Sequence, residues 1–339
     1  MIYRIYLLGL AVGYLTTCLF ATGAGAAEPL RIGIIGCDTS HVTAFTKVFN
    51  NPQAGPEFAG MRVTAAFPGG SDDIPDSIGR VPQYTEELRT AGVEIVDSIP
   101  ALLDRVDAVL IESVDGRKHL EQARLVIAAG KPLYIDKPVG GTLADAMEIF
   151  RLAAEKNVPC FSSSSLRYSP GIADMVNNDG VGEILGCDAF SPCSLESHHP
   201  DLFWYGVHGV EILFTIMGPG CETVSRTHTA DTDYVVGVWK DGRVGTFRGM
   251  RKGAHSYGAM VFGSKSIQRS GDFGGYEPLV VEIAKFLRAG KSPVSAETTL
   301  EMFAFMEAAD ESKREGGKPV ALAQVVDAAR KTGTKAGQP

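Results

Sequence analysis

Between Leu30 and Ala44 the chain reads LRIGIIGCDTSHVTA, an apolar run that predicts a buried strand leading into a helix. In a G-x-G-x-x-G turn the first glycine makes the tight bend, the second lets backbone approach a pyrophosphate, and the third packs helix on strand. Gly36, Asp38 and His41 hold those three places here, with Cys37, Thr39 and Ser40 between them. A carboxylate at the second place sits near the helix N-terminus, where unpaired N–H groups and the positive dipole end otherwise receive a phosphate. Two readings follow. Asp38 occupies the anion site itself, or Asp38, Thr39 or Ser40 simply caps the helix, the plainer role for such residues. A capping carboxylate also repels a dinucleotide phosphate, so the two readings are compatible.

Other residues able to do chemistry are scattered. After its second strand a dinucleotide site places an acid on the ribose hydroxyls, but MRVTAAFPGGSDD ends its apolar run at Phe67 and Pro68, and Asp72 and Asp73 come late, in a loop. Ser71 could meet a phosphate, although glycine and serine in such a place more often make only a turn. His198, His199, His208 and Glu211 are close in sequence and form a feasible ligand set for metal-assisted chemistry. His198 and His199, however, point different ways on an extended segment, and no metal site is assigned. No C-x-x-C pair signals zinc or redox work.

The 339 residues, 45% hydrophobic and 21% charged, have an ordinary globular composition and enough length for two domains with cores of their own. A formal charge of −8 argues against a general nucleic-acid or anionic-membrane binder, which needs a basic face, and suits a small neutral or cationic partner. Residues 1–27 carry Arg4, an apolar run from Ile5 to about Phe20 and then ATGAGAAE, the pattern of a secretory signal peptide with Ala24, Gly25 and Ala26 at the cleavage site. The expected location is periplasmic or extracellular, without membrane insertion once the leader is removed. Twin arginines are absent, so a chain exported unfolded would have to find any dinucleotide outside the cytoplasm. Of six cysteines, Cys18 falls in the leader, and the remaining odd number leaves at least one thiol unpaired. Cys187 and Cys193 are near enough in sequence to bridge, but buried cysteines acting as small apolar residues are the plainer account.

From Leu30 to about Val158 short apolar runs alternate with helical patterns: RIGIIG, a helix near 42–49, MRVTAAF, a helix near 84–91, VEIVDS, DAVLIES, a helix near 118–129, PLYIDKP and a helix near 143–156. Strands apolar on both faces with helices between them specify a doubly wound parallel sheet, a Rossmann-like domain over residues 28–158. Beyond it, EILGCDAFS, DTDYVVGVWKDGRVGTFRG and SYGAMVFGSKSIQRS alternate in the manner of antiparallel strands, with a hairpin turn at WKDGR. Helices are expected near 206–217, 278–289 and 298–315. Residues 159–330 therefore read as an α+β domain with a mainly antiparallel open sheet, and residues 331–339 as a flexible tail.

The segment GKPLYIDKPVGGTLADA resembles the glucose-fructose oxidoreductase, inositol dehydrogenase and rhizopine-catabolism (Gfo/Idh/MocA) family, whose hallmark is E-K-P or D-K-P at this strand end. RYSPGI at 167–172, GVHGVEILFTIMG at 206–218 and SPVSAETTLEMFAFMEAADESKREGGKPVAL follow in the family's order, so the likeness runs from Leu30 to about Leu322. It implies that Lys137 and His208 face a nicotinamide and the substrate hydroxyl. Histidine suits the proton and lysine suits the oxygen on which charge develops. Relatives place acids four residues before and three residues after that histidine. Here the places hold Trp204, whose flat face suits a sugar ring, and Glu211, which shares a helical face with His208 and could bind a hydroxyl or polarise the imidazole. The resemblance also puts Ser113 and His119 of ESVDGRKH on the loop that touches the cofactor. It implies pairing of protomers through the open face of the second sheet.

These features lead to an oxidoreductase that uses NAD or NADP on a sugar or cyclic polyol. The alternative is a descendant of the same fold that binds carbohydrate without a dinucleotide, or processes a glycoside without net redox chemistry.

Overall fold

A computed structural model describes residues 29–336, so the leader assigned to residues 1–27 lies outside the described residues. The first half alternates strand and helix: β1 (Leu30–Ile35), α1 (Ser40–Phe49), β2 (Met61–Phe67), α2 (Pro75–Thr90), β3 (Glu94–Ile95), α3 (Ile99–Leu103) and β4 (Ala108–Ile111). It continues with α4 (Gly116–Ala128), β5 (Leu133–Ile135), α5 (Leu143–Glu155) and β6 (Cys160–Ser162). All pairings in this sheet are parallel, in the order β3-β2-β1-β4-β5-β6. Ile32, Ile34, Val109 and Leu110 are fully buried, as strands covered by helices on both faces require. The order reverses at β1, so the crevice above β1 and β4 is where this topology gathers a ligand.

The second half holds α6 (Pro170–Ala173), β7 (Ile184–Pro192), α7 (Asp201–Trp204), α8 (Val207–Met217), β8 (Cys221–His228), β9 (Thr232–Trp239) and β10 (Val244–Met250). Then come β11 (Gly258–Gly263), β12 (Ile267–Arg269), α9 (Glu277–Ala289), α10 (Ala296–Arg314), β13 (Val320–Ala321) and α11 (Leu322–Ala336). The sheet runs β12-β11-β7-β10-β9-β8-β13 and is antiparallel except where β10 lies parallel to β7. The WKDGR turn joins β9 to β10 as expected, with Gly242 at φ +86°. One face packs under α8; the other exposes Val238, Val244 and Met260 on β9, β10 and β11, the open face expected for pairing.

Several boundaries differ from those read in the sequence. The first sheet ends with β6 at Ser162, beyond the expected limit at 158. Helix α9 returns from the second half to bury Leu279, Val280 and Ile283 in the same cluster as Ile32 and Phe45 of the first, so the domains share a core. Helix α2 begins nine residues before the expected Tyr84, because Gly79 and Pro82 interrupt the helical signal without breaking the helix. Strand β8, unmarked in the sequence reading, pairs with β9 along its length. The supposed tail is helical to Ala336. The five cysteines among the described residues are free, Cys187 and Cys193 included, and four of them are buried.

Helix α8 lies close against β10 because residue 209 is glycine: a Cβ there would sit 2.1 Å from Phe247 Cε2 and 2.8 Å from Ser191 Oγ. Gly209→Ala should therefore destabilise the fold by about 1–3 kcal/mol through overpacking, read as a lower urea midpoint. An unchanged midpoint would show that α8 is free to lift from the sheet.

Candidate functional site

The carboxyl ends of β1, β4 and β5 lie side by side and deliver Asp38, Glu112 and Asp136–Lys137 to one place. Asp38 is fully buried. Its Oδ1 accepts the Val114 N–H at 2.8 Å and its Oδ2 accepts the Ser77 hydroxyl at 2.6 Å, so one carboxylate ties the turn after β1 to the loop after β4 and to the first turn of α2. Burial raises its pKa, and the two donors work against that shift. This corrects both sequence readings of Asp38. It does not cap α1, whose N-cap Thr39 also makes no side-chain cap bond, and its oxygens are committed to protein donors rather than to the anion site. Gly36 belongs to the same close approach: at φ +90°, a Cβ would stand 2.4 Å from Ser113 Oγ. Cys37 is buried beneath the turn, its thiol pushed up to about 12 by burial.

The region expected to receive an adenosine ribose is filled by protein hydrogen bonds. Ser71 Oγ donates to Asp115 Oδ2 at 2.6 Å, and the Ser71 N–H donates to Ser77 Oγ at 2.8 Å. Arg117 bridges Asp115 and Asp73, while His199 Nε2 from the second domain lies 3.2 Å from Asp115 Oδ1. These partners outweigh burial and hold the Asp115 carboxyl well below its usual range. Ser71 is thus a cross-link rather than a phosphate ligand in this structure. His199 Nδ1 contacts Glu196 at 2.9 Å, His208 turns to Ser164, and Glu211 pairs with Arg167. The four residues weighed as a metal set do not converge.

A cavity of about 500 Å³ opens between the two sheets. Thr39, Ser40 and His41 line one side, Trp204 and His208 another, with Lys137 between them. His208 Nδ1 is 2.8 Å from Ser164 Oγ; burial, reinforced by the Lys137 charge, lowers its pKa well below the ordinary value, so the ring is neutral at pH 7. The Lys137 ammonium lies 5.9 Å from the Tyr205 ring centroid. Ser40 Oγ stands 3.4 Å from the Tyr276 hydroxyl. Thr39 Oγ1 is buried at the start of α1 without a hydrogen-bond partner.

Three expected site residues are engaged elsewhere. Glu211 accepts from Ser163 Oγ at 3.0 Å and from Arg167, so it neither polarises His208 nor lines the cavity. The His119 nitrogens lie 2.9 and 2.7 Å from the carbonyl oxygens of Pro138 and Ser113. Ser113 Oγ exchanges hydrogen bonds with Gln122. His119 and Ser113 therefore shape the loop below the cavity.

The sequence reading missed what His41 does. Its Nδ1 lies 2.8 Å from Asp136 Oδ2 and 3.7 Å from Glu112 Oε2, with both carboxylates almost wholly buried. Burial opposes charge on His41, but the two acids raise its pKa to about 9. Burial pushes Glu112 up to about 8, while His41 and Lys137 overcome burial at Asp136 and keep it low. Acids closing two adjacent parallel strands, at Glu112 and Asp136, were the available signal.

A doubly wound parallel sheet joined to an open antiparallel sheet, with a cavity at the strand ends, defines a two-domain fold with a Rossmann-type first half. Residues 30–164 match the Gfo/Idh/MocA family model, described as "Oxidoreductase family, NAD-binding Rossmann fold". An "uncharacterized oxidoreductase" of Streptococcus pneumoniae is 23% identical over 159 residues, which is 42% of this chain and 42% of that protein. The chain thus aligns with less than half the length of this curated relative. The scyllo-inositol dehydrogenase of Lactobacillus casei, solved with NAD(H) and scyllo-inositol, shares the fold with a TM-score of 0.69 at 16% identity, over 87% of this chain and 99% of that one. An oxidoreductase of Agrobacterium radiobacter, solved with NAD+, L-tartaric acid and magnesium, matches with a TM-score of 0.69 at 16% identity, over 88% and 100%.

The junction between domains should respond to acid through Glu196. Burial alone would raise its pKa, but hydrogen bonds with His199 and His198 bring it from 4.5 to about 2. Because the folded value lies below the unfolded one, this contribution is full above pH 4.5 and is lost as pH falls toward 2. Urea midpoints measured across that interval should fall less in Glu196→Gln than in the unsubstituted protein; parallel curves would contradict the assignment.

Proposed function

We propose that the chain is an NAD(P)-dependent oxidoreductase acting on a hydroxyl group of a sugar or cyclic polyol. The carrying observation is the meeting of Lys137 from the first domain and His208 from the second on one cavity whose far wall is the N-terminal turn of α1. The residues present fit the pyrophosphate and nicotinamide half of a dinucleotide. Thr39 Oγ1, buried without a partner on the cavity wall, is a polar atom left for a ligand, and it lies beside the first N–H groups of a ten-residue helix. Thr39 and Ser40 would hold the phosphates, and Lys137 would stand at the nicotinamide end. The adenosine half has no free ribose acid, which supports weak rather than tight binding.

A bound nicotinamide supplies the hydride acceptor or donor. The remaining work belongs to side chains. With Nδ1–H donating to Ser164 Oγ, His208 presents the Nε2 lone pair to a substrate hydroxyl and takes its proton. Lys137 holds the same oxygen as negative charge grows on it, and its positive charge keeps His208 neutral and ready to accept. Trp204 offers an apolar face for a ring.

A second reading, carbohydrate binding without a dinucleotide, is favoured by one observation: Asp38, Ser71, Ser77 and Asp115 satisfy one another and are buried where the adenosine would lie. Titration of the purified protein with NADH and with NADPH, followed by fluorescence, separates the two. Binding is expected below millimolar concentration; none for either nucleotide at that level would leave the second reading. In a polyol screen, Lys137→Ala and His208→Ala should each reduce turnover by about 10²–10⁴ while changing cofactor affinity little, and unchanged turnover would refute their roles.

A further inference from the structure

Glu112 is the least explained side chain of the described residues. It is fully buried, and neither carboxylate oxygen has a hydrogen-bond partner. A buried carboxylate persists only when paired or bound to an ion. Beside it stand His41 Nδ1 and Asp136 Oδ2, and one ligand atom from each of the three residues lies within 4.8 Å of the others.

We propose that His41, Glu112 and Asp136 form a site for a divalent first-row metal ion, bound through one imidazole nitrogen and two carboxylate oxygens at the ends of β1, β4 and β5. Mixed nitrogen and oxygen donors in a small cage suit Zn²⁺ or Mn²⁺ better than Ca²⁺, which takes six to eight oxygens. The ion gives Glu112 a direct bond in place of its 3.7 Å approach to His41 and adds positive charge beside two buried carboxyl groups that otherwise face only His41 and Lys137. Tyr134 supports the set from behind: its hydroxyl is 3.3 Å from Asp136 Oδ1 and donates to the Ser163 carbonyl at 2.9 Å. Glu112 and Asp136 do not line the cavity, whereas His41 and Lys137 do, so the ion lies beneath the cavity floor and orders it. Histidine at the third glycine place then has a reason of its own. This site stands on geometry independent of the proposed reaction, and it can be tested without a substrate.

The test uses the purified full chain, analysed for metal as isolated, then stripped with chelator and titrated with Zn²⁺ or Mn²⁺ by calorimetry. About one equivalent per chain is expected, with affinity reduced by about a hundredfold or more in Glu112→Gln and in His41→Asn. Co²⁺ loaded into the unsubstituted protein should give visible ligand-field absorption, a readout that stands if either variant fails to fold. Absence of metal as isolated together with no binding of either ion at millimolar concentration would overturn the site. Binding that both folded variants retain would overturn it equally.

Discussion

One buried carboxylate sets the geometry of the ligand-binding end. Asp38 accepts from Val114 N–H and from Ser77, holding the turn after β1 against the loop after β4 at the point where strand order reverses. Gly36 permits that contact because no side chain fits against Ser113. With the two loops closed together, α1 starts at a defined height above the sheet. Its residues 39–41 line the cavity together with Lys137, which follows β5 two strands away. A single interaction therefore replaces a glycine of the fingerprint, narrows the adenosine side of the crevice and places the opposite wall of the cavity.

The chemistry of that cavity follows from unequal environments. His208 is buried beside a lysine and stays neutral, suited to accept a proton. His41 is buried beside two acids and is driven the other way. Two histidines on one cavity thus differ because of what lies beside each of them, burial with the Lys137 charge for His208 and Glu112 with Asp136 for His41.

The parallel sheet was legible because strands buried on both faces are continuous apolar runs, and the hairpin at WKDGR because its turn residues are local. The motifs around Lys137 and His208 singled them out in the sequence, and both line the cavity. Hidden elements had physical reasons: α2 carries Gly79 and Pro82 within the helix, and α9 gives no hint in its sequence that its apolar face serves the first domain's core. Glu211 was misread because its helical position beside His208 says nothing of Arg167, which arrives from a distant segment and takes the carboxylate. The His41, Glu112 and Asp136 cluster joins residues far apart in the chain, and only the strand order brings them together.

The most direct measurement is a crystal structure of the protein soaked with NADH at high concentration. Phosphate oxygens should lie on Thr39 and Ser40 at the start of α1 and the nicotinamide ring beside Lys137, within reach of His208. A cavity that excludes the dinucleotide, with Asp38, Ser71 and Ser77 undisturbed under saturating cofactor, would contradict it.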